Sequence, residues 1–182
     1  EVISYALNYA HEVMTKTYAT DEEKLQASTA LRLAIDNAQY IENIALNKTV
    51  SASHNQSAAQ RITNGSTSDY WTSLNADGDN EPIENSSFVI DLKGIYNVDA
   101  VNAIPYFASN NRYYQYDVLL SEDNEDWECV AQYRGTDITT SKGQLFVLDT
   151  AKRARYIKIQ GVYVYVSGRT DINNFHMTEV LA

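Results

Sequence analysis

The sequence is poor in cysteine, in basic residues and in long apolar runs, and each shortage removes a class of function. A single cysteine, Cys129, in 182 residues excludes an intrachain disulfide and a thiolate zinc cluster. It is compatible with an exported protein that avoids thiols and with a cytosolic one. No apolar stretch approaches the roughly 20 residues that span a bilayer, so no membrane insertion is expected. The chain has 14 Lys and Arg against 24 Asp and Glu, a formal charge of -10. Such a surface repels phosphate backbones and anionic lipid, and no nucleic-acid partner is expected. The three histidines, His11, His54 and His176, lack metal-ligand spacing, and no Gly-x-Ser-x-Gly, P-loop or dinucleotide fingerprint occurs. Asp77, Asp79 and Glu81 crowd one loop, but a glycosidase pair must converge across a cleft, and this length leaves little room for one beside a folded core. The chain is therefore not expected to be an enzyme. It shows no signal-peptide pattern, and Glu1 reads as an internal start, so any export signal is expected upstream.

What is present divides near Ile44. Residues 1 to 46 contain neither Pro nor Gly. Val2, Ile3, Ala6, Leu7, Ala10, Val13 and Met14 recur at three- and four-residue spacing, as do Leu25, Ala27, Leu31, Ala34, Ile35, Ala38 and Ile41. Between the two stripes, Thr20-Asp21-Glu22-Glu23 has the form of a capping box. Residues 1–43 are thus predicted to form an α-helical hairpin, a spacer or the tail of a preceding domain. From residue 45 to residue 182 the period falls to two. Short alternating segments such as 88–92, 96–104, 114–121, 144–148 and 155–159 are separated by polar turns with no helical pattern between them. A mainly β, antiparallel sandwich or barrel is predicted there.

Tyrosine dominates the aromatics, 14 against 4 Phe and 2 Trp. It suits pleated, half-buried surfaces, and it also suits a polar ligand, because the ring offers an apolar face with a hydroxyl at its edge. A sugar site needs such a face and several directional hydrogen-bonding side chains, gathered where loops converge. His54 follows the first strand, as a site group or a solvated loop residue. Tyr106, Phe107, Asn110 and Arg112 lie in a loop between two strong strands, and Arg112 is equally suited to pairing with a surface acid. Asn173-Asn174-Phe175-His176 precedes the last strand, with Phe175 either a platform or core. Tyr163 and Tyr165 are further candidates, or plain strand. Separately, the polar run 61–71 with its Gly65 reads as an oxygen-rich loop closed by Trp71, suited to a hard cation or to an ordinary capped turn.

The order of Ala45-Leu46-Asn47-Lys48, Val50-Ser51-Ala52-Ser53, Ile62-Thr63-Asn64-Gly65, Tyr70-Trp71, Phe88-Val89-Ile90-Asp91-Leu92, Tyr116-Asp117-Val118, Ser121-Glu122-Asp123, Trp127, Ala154-Arg155-Tyr156-Ile157-Lys158-Ile159 and Thr178-Glu179-Val180 resembles the discoidin, or coagulation factor 5/8 C-terminal type, domain. The branch it is most similar to is the family 32 carbohydrate-binding modules of bacterial glycoside hydrolases. The helical pair resembles the FIVAR-type spacers of such enzymes. The resemblance implies a galactose-binding-like jelly-roll sandwich over 45–182, secreted or at a bacterial cell surface, monomeric, with a structural calcium and a shallow glycan site. It implies calcium ligands at Arg61 and Ser66 through their carbonyls, and at Asn64, Asp69 and Glu179. Asn64 stands where the family usually has Asp and Asp69 where it has Thr, so the net charge of the set is about preserved. It implies a sugar-binding role for Asn110 and an aromatic platform near Phe175. Galactose-binding members tend to carry an Arg upstream of the Asn, and Ile104-Pro105-Tyr106-Phe107 has none, which leaves open a galactose-type sugar, an N-acetylhexosamine-type sugar, or a degenerate module with no sugar affinity. The alternative is an adhesion module that uses the same loops against protein.

Overall fold

The computed structural model describes residues 2–36, 42–74, 82–108 and 111–182, and the chain divides into two compact units, Glu1–Glu42 and Asn43–Ala182. The first is the helical hairpin, α1 (Val2–Thr15) and α2 (Asp21–Asp36). Its turn is fixed by a reciprocal cap. The Thr20 amide donates to Glu23 Oε2 at 2.8 Å while the Glu23 amide donates to Thr20 Oγ1 at 3.2 Å. Lys16 pairs with the same carboxylate, and these bonds hold the Glu23 carboxyl down at about 2. Val13 and Ala27 are buried, whereas Met14 and Leu25 face solvent. Two helices share one seam, too narrow to cover the full apolar stripe that their spacing creates. Ala38 and Ile41 lie outside the described residues.

The second unit is the predicted antiparallel sandwich, built from β1 (Thr49–Ala52), β2 (Trp71–Thr72), β3 (Ser87–Pro105), β4 (Arg112–Ser121), β5 (Glu128–Tyr133), β6 (Gln144–Val166) and β7 (His176–Leu181). Their order is β2-β7-β3-β6-β4-β5, with β1 paired to the first half of β3 off this path. Segments that read as separate strands in the sequence are continuous. Residues 88–92 and 96–104 both belong to β3, and residues 144–148 and 155–159 both belong to β6. The bend in β3 falls at Lys93, whose φ of 67° lies in the left-handed region. The Asp91 carboxylate accepts from the Lys93 amide at 2.8 Å and steadies that conformation. Register shifts between Asp91 and Tyr96 mark the same corner. The first half of β3 therefore pairs with β1 and the middle of β6, and its second half with the start of β6 and with β7. Across this corner Arg155 grips Asp91 with two bonds of 2.9 and 3.1 Å, which hold the Asp91 carboxyl well below the usual range.

Alternate residues of both layers fill one core. Phe88, Ile90, Leu92, Tyr114, Tyr116, Val118, Ile157 and Ile159 come from one layer, and Trp71, Val101, Ala103, Met177 and Val180 from the other. The buried Trp71 indole N–H is satisfied by the His54 carbonyl at 2.9 Å. Because β3 and β6 run out along one layer and back along the other, the end of β1, the end of β3 and the starts of β4 and β7 meet at one end of the sandwich. That end carries the candidate ligand residues.

Candidate functional site

At the loop end, β2 and β7 pair Trp71 with Met177 and Thr72 with His176. Trp71 points into the core, so Met177 does too, and His176 turns the other way. There it meets Tyr70 and Tyr106. The Tyr70 and Tyr106 rings lie 4.2 Å apart, Tyr70 and His176 stack at 5.3 Å, and Tyr106 meets His176 edge-on at 5.7 Å. The Arg112 guanidinium sits 4.8 Å from the Tyr106 ring centre. It donates to the Tyr114 hydroxyl at 3.1 Å and reaches His176 Nδ1 at 3.4 Å. The Asn174 amide contacts His176 Nε2 and lies 3.2 Å from Thr72 Oγ1. With Arg112 donating to Nδ1, the ring proton belongs on Nε2, where the Asn174 carbonyl oxygen is the end that satisfies it.

The connection that delivers these groups is pinned at both ends. Thr139 Oγ1 donates to the Tyr106 carbonyl at 3.0 Å and to the Arg112 carbonyl at 3.2 Å, and the Thr139 amide donates to the Arg112 carbonyl at 2.9 Å. The rings thus stand on a fixed frame. Burial, and then the positive charge of Arg112, push the His176 imidazole down to about 3. It is neutral at any physiological pH and serves as a hydrogen-bonding ring. Burial pushes the Tyr114 phenol up to about 12.

The depressed His176 has a consequence for stability. Its folded value lies below the ordinary one near 6.5, so its contribution is complete above about pH 6.5 and is lost as pH falls toward 3. Urea unfolding from pH 7.5 to 5 should show wild type losing about 2 kcal/mol more than His176→Gln over that interval. Equal losses in the two proteins would contradict the assigned state of the ring.

The structure brings Tyr106 and Arg112 together and corrects Phe175. That side chain is fully buried, stacked on Phe88 and edge-on to Trp71, with Tyr114 at 5.6 Å and Tyr116 at 6.0 Å. It is a core residue and offers no platform, because strand alternation sends 175 the same way as Met177. Arg112 is likewise buried, against Tyr106 and Tyr114. His54 is half-buried, with Nδ1 2.8 Å from Ser53 Oγ. Among the described residues its ring makes no contact with the cluster, and its carbonyl does the structural work at Trp71. Phe107 is half-buried beside Tyr106, also outside the ring cluster among the described residues. Asn110 lies outside the described residues, as do Asp77, Asp79 and Glu81. Tyr70 and His176 carry the site without having been singled out as binding residues. No local signal marks His176: its direction follows from the pairing of Met177 with the inward Trp71, which leaves His176 on the other side.

The oxygen-rich loop lies against the last strand. Gly65 holds φ at 79°, which favours glycine, and its amide donates to Glu179 Oε2 at 3.1 Å. Glu179 Oε1 is buried without a hydrogen-bond partner. Asn64 Oδ1 accepts from the Ser66 amide at 2.8 Å, and Asn64 Nδ2 lies 3.1 and 3.3 Å from the two Asp69 oxygens. The Arg61 guanidinium stands 4.0 Å from Asp69. Burial pushes the Glu179 carboxyl up to about 7; the Gly65 amide opposes this and the Asp69 charge adds to it. Among the described residues no three His, Cys, Asp or Glu converge, so a cation here would depend on amide and carbonyl oxygens beside two carboxylates. The donors are all hard oxygens, and the orphaned Glu179 oxygen is the kind of group a hard cation satisfies.

Residues 47–176 match the family model described as the F5/8 type C domain. No curated protein matches the chain. Among solved structures, a family 89 glycoside hydrolase from Clostridium perfringens in complex with 2-acetamido-1,2-dideoxynojirmycin aligns with a TM-score of 0.60 at 23% identity, over 76% of this chain and 14% of that one. CpGH89CBM32-6, produced by the same organism, aligns with a TM-score of 0.58 at 18% identity, over 77% of this chain and 97% of that one. The family 32 carbohydrate-binding module of NanJ from C. perfringens, in complex with galactose, gives 0.57 at 20% identity, over 74% and 92%. The chain thus spans about a seventh of the hydrolase and nearly all of each isolated module. At these identities the likeness establishes the galactose-binding-like sandwich.

Proposed function

The chain belongs to the F5/8 type C domain family, and from that premise we propose that it is a non-catalytic carbohydrate-binding module. It targets a larger, secreted or surface-held glycan-degrading protein to its substrate. The observation that carries this reading is the cluster of Tyr70, Tyr106, His176 and Arg112 at the loop end. The half-buried Tyr70 and Tyr106 rings can meet the apolar C–H patch of a pyranose and offer hydroxyls at their edges, while Arg112 and His176, bonded to each other, to Tyr114 and to Asn174, hold those rings in place. A galactose-type or N-acetylhexosamine-type sugar fits that chemistry. Two structurally similar proteins, the NanJ module in complex with galactose and the AlyQ module in complex with 4,5-unsaturated mannuronic acid, lend it support. An affinity on the order of 1 mM, about -4 kcal/mol, suffices when tethering keeps substrate at a local concentration in the mM range. No described helix is long and apolar enough to cross a membrane.

A structural calcium belongs to the same proposal. Asp69, Glu179 and Asn64 would hold it through side-chain oxygens, with the carbonyls of Arg61 and Ser66. The ion would tie the loop after the first strand to the last strand, and its role would be stability.

A glycan-array screen of the folded protein with calcium present tests the sugar reading. Reproducible hits are expected, and Tyr106→Ala should weaken them about ten-fold or more while leaving the thermal transition in place. A blank array from folded protein would sink the reading and favour adhesion to protein.

A further inference from the structure

On the outward face of the sandwich, β4 and β6 set Tyr113 opposite Tyr165 and Gln115 opposite Tyr163. Tyr113 and Tyr165 stack with ring centres 5.1 Å apart and planes 18° apart, and Tyr163 lies 6.1 Å from Tyr113. Tyr163 and Tyr165 remain 47% and 41% exposed. Their inward neighbours Tyr114, Val164 and Val166 are buried in the core, so the three rings stand on a rigid base. Among the described residues none of the three hydroxyls has a hydrogen-bond partner. Single exposed aromatics are ordinary, but three adjoining rings on one flat face form a contiguous surface that suits a ligand.

We propose that this tyrosine stripe extends the loop-end site and receives further residues of a glycan chain whose first sugar lies on Tyr106 and His176. The inference rests on the carbohydrate reading above. Position supports it: Arg112 and Val166, which turn inward at the rim, are each followed or preceded in their strands by the outward Tyr113 and Tyr165, so the stripe begins at the end of the sandwich that carries the cluster. Charge chooses the occupant. On a chain whose formal charge is -10, none of Tyr113, Gln115, Tyr163 and Tyr165 is charged, and Asp117 and Arg134 beside Gln115 pair with each other. A neutral polyol matches such a stripe, whereas an anionic surface is repelled. The rings meet the C–H faces of successive sugars, and their hydroxyls meet the sugar oxygens, while the Gln115 amide, which donates to the Arg134 carbonyl at 2.9 Å, steadies the face.

Titration calorimetry of the whole chain with galactose, N-acetylglucosamine, galactotetraose and chitotetraose tests it. One tetrasaccharide should bind about ten-fold or more tighter than its own monosaccharide. The double substitution Tyr163→Thr with Tyr165→Thr keeps strand-forming residues and should remove that gain with the monosaccharide affinity unchanged. A tetrasaccharide that binds no tighter than its monosaccharide, or a gain that survives the double substitution, overturns the inference and assigns the stripe to a protein partner, with the loop-end site intact. No heat from any of the four probes, together with a blank array, overturns the carbohydrate reading and the stripe with it.

Discussion

Calcium should raise the melting temperature of this protein by about 5–10 °C, and a chelator should reverse the rise. An ion at about 100 times its dissociation constant adds about 2.7 kcal/mol, which in a domain of this size corresponds to that shift. The effect is pH-dependent in a definite direction. Without a cation the Glu179 carboxyl is held at about 7 by burial, above its unfolded value. The cation-free fold therefore has its full stability below about pH 4.5 and loses up to about 3 kcal/mol as pH rises through 7. A bound cation keeps the carboxylate ionised and removes that loss, so calcium should matter most at neutral pH. It should also release up to one proton on binding near pH 6, readable by calorimetry in buffers of different ionisation heat. Glu179→Gln should abolish the calcium response and flatten the cation-free profile. Identical melting curves with calcium and with chelator at pH 7.5 would remove the ion from the account. His176 acts in the opposite direction, since its contribution fades toward acid, so the wild-type profile without cation sums two opposed slopes.

Phe175→Ala should cost about 3–5 kcal/mol, which lowers the melting temperature by roughly 10–15 °C. The ring is fully buried among Trp71, Phe88, Tyr114 and Tyr116, and its removal leaves a cavity that four rigid aromatics cannot close. Any loss of sugar binding in this variant would follow from a loosened β7 rather than from a missing platform. Phe175→Leu, which refills most of the volume, should recover much of the stability and with it any binding. A Phe175→Ala protein with unchanged unfolding free energy would contradict the packing described here.

The sandwich was legible because burial imposes period two on its strands, and the helical hairpin because the Thr20–Glu23 cap has a local mechanism. Continuity of β3 and β6 was not legible. The bend at Lys93 is held by Asp91, and Asp91 is held by Arg155 from another strand, so its cause is non-local. The site was half legible for a related reason. Tyr106 and Arg112 flank a loop that declares itself in the sequence. Which of Phe175 and His176 faces outward depends on the pairing of Trp71 with Met177, a register that short strands do not announce. Arg112 stayed open between a site group and a partner for a surface acid because its contacts, the Tyr106 ring and the Tyr114 hydroxyl, become neighbours only after folding.

The two long bent strands have one more consequence. Since β3 and β6 each serve both layers, neither sheet can peel away while the other persists, and the scaffold has no line of weakness along which to open partway. Damage is therefore shared across the whole frame, whereas the rim loops hang from it like tools on a rigid handle. Their side chains can be exchanged for a different recognition task at little risk to the body that carries them.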